Sequence, residues 1–277
     1  MIKFWKFQGA ENDFVVVDRE DGTLLPPEIV TELCHRHRGV GADGVLSVRP
    51  GNLRPVEMVV QNADGSLAGM CGNGLRCVLD AIWRRHFAWV QFNPDDALEI
   101  QVGERIFVGR SCGNDRFEVD MGRPVFEHPH LPVHPVDLAY EVEAGDGRRF
   151  AGWLAHYGNP HFVTFVTQNP MTLAQEYGPE LEKHPCFPDR ANISFVQVQP
   201  TTLLSVVYER GVGITQACGT GACSIALAAI RAGYRQFDES VSVSLPGGEL
   251  RITIGSSYST TMNGPSMEVF SGEVQGV

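Results

Sequence analysis

Short apolar bursts rich in Val and Phe run through most of the chain between polar and glycine-containing turns, and two longer apolar runs interrupt them. The bursts predict strands. Residues 2–7 and 14–18 flank the turn Gln8-Gly9-Ala10-Glu11-Asn12-Asp13. Residues 45–48, 56–61, 97–102, 106–110 and 117–121 follow. Later come 150–156, 162–166, 193–198, 203–208, 241–245, 250–254 and 266–274. The two longer runs predict helices. In the first, Leu75, Val78, Leu79 and Ile82 fall at i, i+3, i+4 and i+7, which is one helix face. In the second, nearly every position over 222–232 is apolar or small, the mark of a helix buried all round. A third helix is predicted over 28–38, started by Pro26-Pro27-Glu28, and a short one within 171–183. Pro124, Pro129, Pro132 and Pro135 exclude a helix or a central strand over 124–137, and a crossing between two halves suits that stretch.

Strands outnumber helices and do not alternate with them, so a doubly wound parallel sheet is excluded. The predicted class is α/β (α+β): two similar halves, each a curved mixed sheet wrapped around one apolar helix. The order of elements around the two helices is alike, which suggests an internal duplication.

The chemistry concentrates where those helices begin. One is preceded by Met70-Cys71-Gly72-Asn73-Gly74 and the other by Ala217-Cys218-Gly219-Thr220-Gly221. A helix start has backbone N–H groups without internal partners and a positive dipole end, so an anionic group is welcome there. The same field favours thiolate over thiol, with pKa values of roughly 3.5–7.5 in such settings. Two such sites facing one carboxylate would suit moving a proton from one face of an α-carbon to the other. Cys77 and Cys223 lie one to two turns into the helices and read as core.

Composition narrows the field. At 277 residues the chain is long enough for two domains. Its net charge of −11 argues against nucleic-acid or anionic-membrane partners, which need a basic face. No long apolar stretch or secretory pattern is visible, so a cytoplasmic location is expected. Seven cysteines, an odd number, do not make a disulfide framework. Cys34-His35-Arg36-His37 is a lone Cys/His cluster without a second one to match, so no metal is expected. His128, His130 and His134 are expected to be solvated. No pyridoxal-phosphate motif is present, and no cofactor is expected.

The motifs together resemble the diaminopimelate epimerase family. The resemblance is carried by GAENDFVVVD (9–18), HRGVGADGVL (37–46), NADGSLAGMCGNGLRC (62–77), GNPHF (158–162), RANISFVQV (190–198), residues 207–229, and the closing LPGG and NGPSMEVFSGEV. It implies a cofactor-independent epimerase interconverting LL- and meso-2,6-diaminopimelate in lysine and peptidoglycan-precursor biosynthesis. Its two domains would be residues 1–118 with 265–277, carrying Cys71, and residues 119–264, carrying Cys218, with the active site in the cleft between them. By the same resemblance Cys71 and Cys218 are the catalytic pair, one thiolate and one thiol. Gly72, Asn73, Gly219 and Thr220 would hold the reacting carboxylate. Asn12, Asn62, Asn159, Asn192, Glu209 and Arg210 would hold the rest of the substrate, and His161 and Glu209 would tune the thiols. The partner is a small amino acid, and a homodimer is expected. Four positions depart from the family pattern: Gln8, Glu11, Gly44 and Ile214. They leave room for a histidine- or proline-type racemase, although Glu209-Arg210 would then have no second amino-acid end to bind.

Overall fold

The first two apolar bursts form a hairpin, β1 (Ile2–Gly9) and β2 (Asn12–Asp18), with Gly9 opposite Asn12. Only Ala10 and Glu11 lie between them, and both take left-handed backbone angles, φ 54° and 61°. This is the turn whose twist matches that of the strands. Residues other than glycine tolerate it poorly, at roughly 1–2 kcal/mol each. Gln8 offsets part of that cost, since its Oε1 accepts the Glu11 N–H at 2.9 Å.

The computed structural model describes residues 1–93, 96–135 and 138–275. The chain divides into one unit of Met1–Asp120 with Asn263–Val277 and another of Met121–Met262. Val136 and Asp137 of the proline-rich stretch, and Gly276 and Val277 at the end of the first unit, lie outside the described residues.

In the first unit α1 (Pro27–Cys34) carries the chain from β2 to β3 (Gly44–Pro50), which pairs parallel to it. β4 (Val56–Asn62) returns antiparallel, and the two-residue β5 (Leu67–Ala68) leads into α2 (Gly72–Trp83). β6 (Leu98–Val102) then pairs parallel to β4, followed antiparallel by β7 (Arg105–Ser111) and β8 (Arg116–Gly122). The C-terminal strand β18 (Met267–Val274) adds to the free side of β1, placing Ile2 opposite Val274. Helix α2 packs on β1 and β18 near one end of this sheet and on β7 near the other, so the sheet curls around it. Every residue of α2 from Gly72 to Ile82 is buried. On the outer face, Val30 and Leu33 of α1 pack on Phe4, Val15, Val17 and Val45.

The second unit repeats the sequence of elements. A hairpin of β10 (Arg149–His156) and β11 (Pro160–Phe165) is followed by α3 (Pro170–Leu181), with β9 (Tyr140–Glu143) on the outer edge of β10. β12 (Asn192–Val198) pairs parallel to β11, and β13 (Leu203–Glu209) returns antiparallel. The short β14 (Gly213–Ile214) precedes α4 (Gly219–Arg231), and β15 (Ser240–Leu245) pairs parallel to β13 before β16 (Gly248–Ile254). β17 (Thr260–Pro265) follows. Helix α4 packs on β10, β11, β12, β15 and β16, and Gly219 through Ile230 are all buried. Its alanines let the surrounding strands approach closely. Each buried Ile or Leu contributes about 1.5–3 kcal/mol. The two curved mixed sheets around central helices are the architecture expected from the apolar pattern. Among the described residues, no helix is long and apolar enough to cross a membrane.

Two expectations fail. The helix over 28–38 stops at Cys34, because His35 is extended and its ring Nδ1 accepts the N–H groups of His37 (3.1 Å) and Arg38 (3.2 Å). A side-chain acceptor thereby replaces the next helical turn. The proline-rich stretch does not cross between halves; its described residues lie within the second unit, pinned by a bridge from Val125 to His156.

Candidate active site

In the first unit Cys71 is the N-cap of α2, and its Sγ accepts the Gly74 N–H at 3.3 Å. Its S–H faces Asn12 Oδ1 at 3.8 Å, from the start of β2. The same Oδ1 accepts from Asn73 Nδ2 at 3.2 Å. Asn73 is turned by Arg76, whose Nη2 donates to Asn73 Oδ1 at 2.9 Å. Arg76 is a charged side chain with no exposure at all, anchored also on the Pro265 carbonyl. The structure thus groups Asn12, Cys71, Gly72 and Asn73. Asn62, exposed at the end of β4, donates instead to Ser66 Oγ at 2.9 Å.

In the second unit Cys218 is the N-cap of α4. Its S–H donates to Glu209 Oε2 at 3.2 Å, and it lies 3.6 Å from Thr220 Oγ1. Thr215 donates to the other oxygen of Glu209 at 2.5 Å. Thr220 also meets His161 Nε2 at 3.1 Å, and that nitrogen lies 2.9 Å from Asn159 Oδ1. An amide oxygen only accepts, so Nε2 carries the proton. Asn192 joins the group from β12: its Nδ2 donates to the Pro160 carbonyl and its Oδ1 accepts the Arg210 N–H at 2.9 Å. Arg210 reaches the Asp189 carbonyl at 3.0 Å and its carboxylate more closely still. Asn159, His161, Asn192, Glu209, Arg210, Cys218, Gly219 and Thr220 therefore form one contiguous group.

The electrostatics depart from the sequence reading. The dipole argument predicts a lowered thiol pKa, but Cys218 is pushed well above its ordinary value, first by burial and then by the Glu209 charge. Burial this deep outweighs one helix terminus. Burial also raises the Glu209 carboxyl. Cys218 therefore rests as a thiol, with an oxygen acceptor in contact. A thiolate can form there by passing the proton to Glu209 without changing the charge of the pair. His161, fully buried, is held down to about 3 by burial first and then by His156 and Arg210. It is neutral, and it reaches Cys218 through the Thr220 hydroxyl. Cys77 is pushed up to about 12 by its burial, and Cys223 is buried as well.

Three histidines are less solvated than expected. His128 and His130 are half-buried against His156, with the His128 and His156 rings stacked at 3.8 Å and 18°. Their potential ligand atoms all lie within 4.8 Å of one another. Parallel rings do not aim in-plane lone pairs at a common point, and the Nδ1 atoms of His128 and His156 accept backbone N–H groups. His134 is half-buried beside Tyr140.

Sequence reasoning missed the charged residues behind these groups. Asp13, Arg36, Asp43 and Lys6 lie behind Asn12. Asp189 and Thr215 hold Arg210 and Glu209. A buried arginine inside an apolar helix, Arg76, was the visible signal. At Gly44 a Cβ would come within 2.6 Å of the Gln61 carbonyl, so no side chain fits there.

Comparison with known proteins adds a family. The family model described as diaminopimelate epimerase matches residues 4–126 and 153–269. The chain is 37% identical to the diaminopimelate epimerase of Carboxydothermus hydrogenoformans, over 98% of this chain and 99% of that one. It is 38% identical to that of Desulfitobacterium hafniense, over 96% of each. Its fold is similar to a solved probable proline racemase from Agrobacterium radiobacter K84 with bound carbonate, at a TM-score of 0.68 and 13% identity, covering 99% of this chain and 93% of that one.

Proposed function

Because the chain belongs to the diaminopimelate epimerase family, we propose that it interconverts LL- and meso-2,6-diaminopimelate with Cys71 and Cys218 as its two acid/base groups. One thiolate takes the α-proton, forming S–H as the C–H bond breaks. The electron pair moves onto the substrate carboxylate as an enediolate. The other thiol delivers its proton to the opposite face and is left as thiolate, and the roles swap in the reverse direction.

The observation that carries this reading is the repeated N-cap. Each unit places a cysteine at the start of a fully buried helix, with an oxygen acceptor at its S–H: Asn12 for Cys71 and Glu209 for Cys218. The N–H groups of Gly72, Asn73, Gly219 and Thr220, at the starts of α2 and α4, suit a carboxylate that gains charge in the transition state. One such donor is worth about 3–4 kcal/mol in other enzymes. Asn62, Asn159, Asn192, Glu209 and Arg210 supply donors and acceptors for the second amino-acid end, with Arg210 suited to its carboxylate. No cofactor is needed for these steps. The two-base scheme requires both sulfurs to reach one α-carbon from opposite faces. We place the enzyme in the cytoplasm, in lysine biosynthesis, as a homodimer. Exposed Met267, Val269 and Phe270 along β18 support self-association.

The test is isotope exchange. Reduced enzyme given either isomer in heavy water must put deuterium at the α-carbon, and Cys71→Ala and Cys218→Ala must each stop epimerisation. No exchange from either isomer by folded, reduced protein would end the reading.

A further inference from the structure

Two asparagine amides beside Cys71 could each point either way, and their surroundings settle the direction. Asn12 Nδ2 donates to Asp43 Oδ2 at 2.8 Å. The Asp43 carboxylate also takes the Asp13 N–H at 3.1 Å and Arg36 Nη2 at 2.7 Å. Arg36 in turn clasps Asp13 at 2.8 and 3.1 Å, and Lys6 closes the group on Asp13 at 2.5 Å. With three N–H donors on its oxygens, Arg36 among them, the Asp43 carboxylate stands as the acceptor. At the other end of the row stands Arg76, which can only donate, and it donates to Asn73 Oδ1.

An acceptor at one end and a donor at the other leave one consistent polarity. Arg76 turns the Asn73 NH₂ group toward Asn12, and Asp43 turns the Asn12 NH₂ group away from the cysteine. The Asn12 oxygen is therefore what Cys71 meets, at 3.8 Å. An oxygen there accepts from S–H and disfavours S⁻; an NH₂ group there would do the opposite. None of Asp43, Arg36 or Arg76 was singled out by the sequence motifs as a site residue.

We propose that Asp43 is a positioning residue that fixes the Asn12 amide with its oxygen toward Cys71 and so holds Cys71 as a thiol in the resting enzyme. Together with the reading of Cys71 as an acid/base group, on which its meaning for catalysis rests, this assigns Cys71 the proton-donor role at rest. The carboxylate acts at a distance of one side chain: Asp43 orients, Asn12 touches the sulfur. The substitution Asp43→Ala frees the Asn12 amide to turn and present N–H to the sulfur.

The test reads the thiol itself and needs no turnover. The rate of Cys71 alkylation by iodoacetamide is followed against pH in the full-length reduced protein, with the modified peptide resolved by mass spectrometry. Asp43→Ala is expected to lower the Cys71 pKa by about one unit, which speeds alkylation about tenfold at neutral pH. Removing a nearby negative charge would also lower it, so Asn12→Ala and the double variant complete the comparison. If Asp43 works through Asn12, the Asp43→Ala shift largely disappears in the Asn12→Ala background. An equal shift in both backgrounds means a plain charge effect and overturns the proposal, as does no shift in either. Should Asp43→Ala not fold, Asp43→Asn, close in shape, is measured in its place with the same criteria. Failure of the isotope exchange above leaves this result standing, and failure here leaves the epimerase reading standing, so the two are separable.

Discussion

The Glu209–Cys218 contact makes the sharpest quantitative claim. Glu209→Gln keeps the shape and most hydrogen-bonding capacity of the side chain but removes one negative charge 3.2 Å from the sulfur. Two unit charges at that separation interact by about 5 kcal/mol at an effective dielectric near 20. That corresponds to about 3–4 pKa units, and relaxation around the glutamine reduces it to roughly 2. The burial that also raises Cys218 is unchanged by the substitution, so the thiol falls toward its ordinary range without passing far below it. The assay is the pH dependence of Cys218 alkylation by iodoacetamide, read on its own peptide, beside steady-state epimerisation. Alkylation becomes easier while turnover drops at least about 100-fold, because the base in contact with the thiol is gone. A nucleophile made more available and a reaction made slower is an unusual pair of outcomes, and it separates loss of proton management from loss of fold. An unchanged or raised Cys218 pKa would show that Glu209 does not bear on the thiol as its position says.

His161 predicts a pH dependence of stability. Its imidazole is held down to about 3 in the folded chain against an ordinary 6.5, so between these values the unfolded chain binds a proton that the native one refuses. Its contribution is complete above pH 6.5 and is lost as pH falls toward 3, amounting to about 2–3 kcal/mol near pH 4.5. Urea melts of the protein and of His161→Gln at pH 7 and pH 4.5 check it: the substitution must flatten the acid slope. Glu11→Gly is expected to raise stability by about 1 kcal/mol, because Glu11 sits at φ 61° in a turn that glycine enters freely. Thermal melting checks it, and a lower Tm would mean that the Glu11 side chain contributes more than its backbone costs.

Much of the fold could be read from the apolar runs alone. Val- and Phe-rich runs located β1, β2, β12 and β13, whose middle residues are buried on both faces, and continuous small apolar residues located α4 because it is enclosed on every side. The Cys-Gly-x-Gly spacing marked both helix starts, since glycine and a capping side chain belong there. What could not be read depends on partners distant in the chain. The end of α1 is decided by the His35 ring, which competes with the backbone only because the chain turns at Gly39 and Gly41. The two-residue strands β5 and β14 carry no period. The upward Cys218 shift follows first from burial and then from Glu209, nine positions earlier, which the bend through β14 returns to the helix start. Asp43 is separated by 31 positions from the amide it orients, and only the parallel pairing of β2 with β3 joins them.

The pairing of Ile2 with Val274 means that the first unit is closed by a strand made only after the second unit. During synthesis its edge at β1 waits, with Phe4 and Phe7 on a strand short of one neighbour, until the second unit has been made. The second unit has no such dependence, being one uninterrupted segment, Met121–Met262. The half that begins first must therefore finish second. Deletion of β18 would strike the sheet that begins at β1 and leave the unit nearer to the cut in sequence intact.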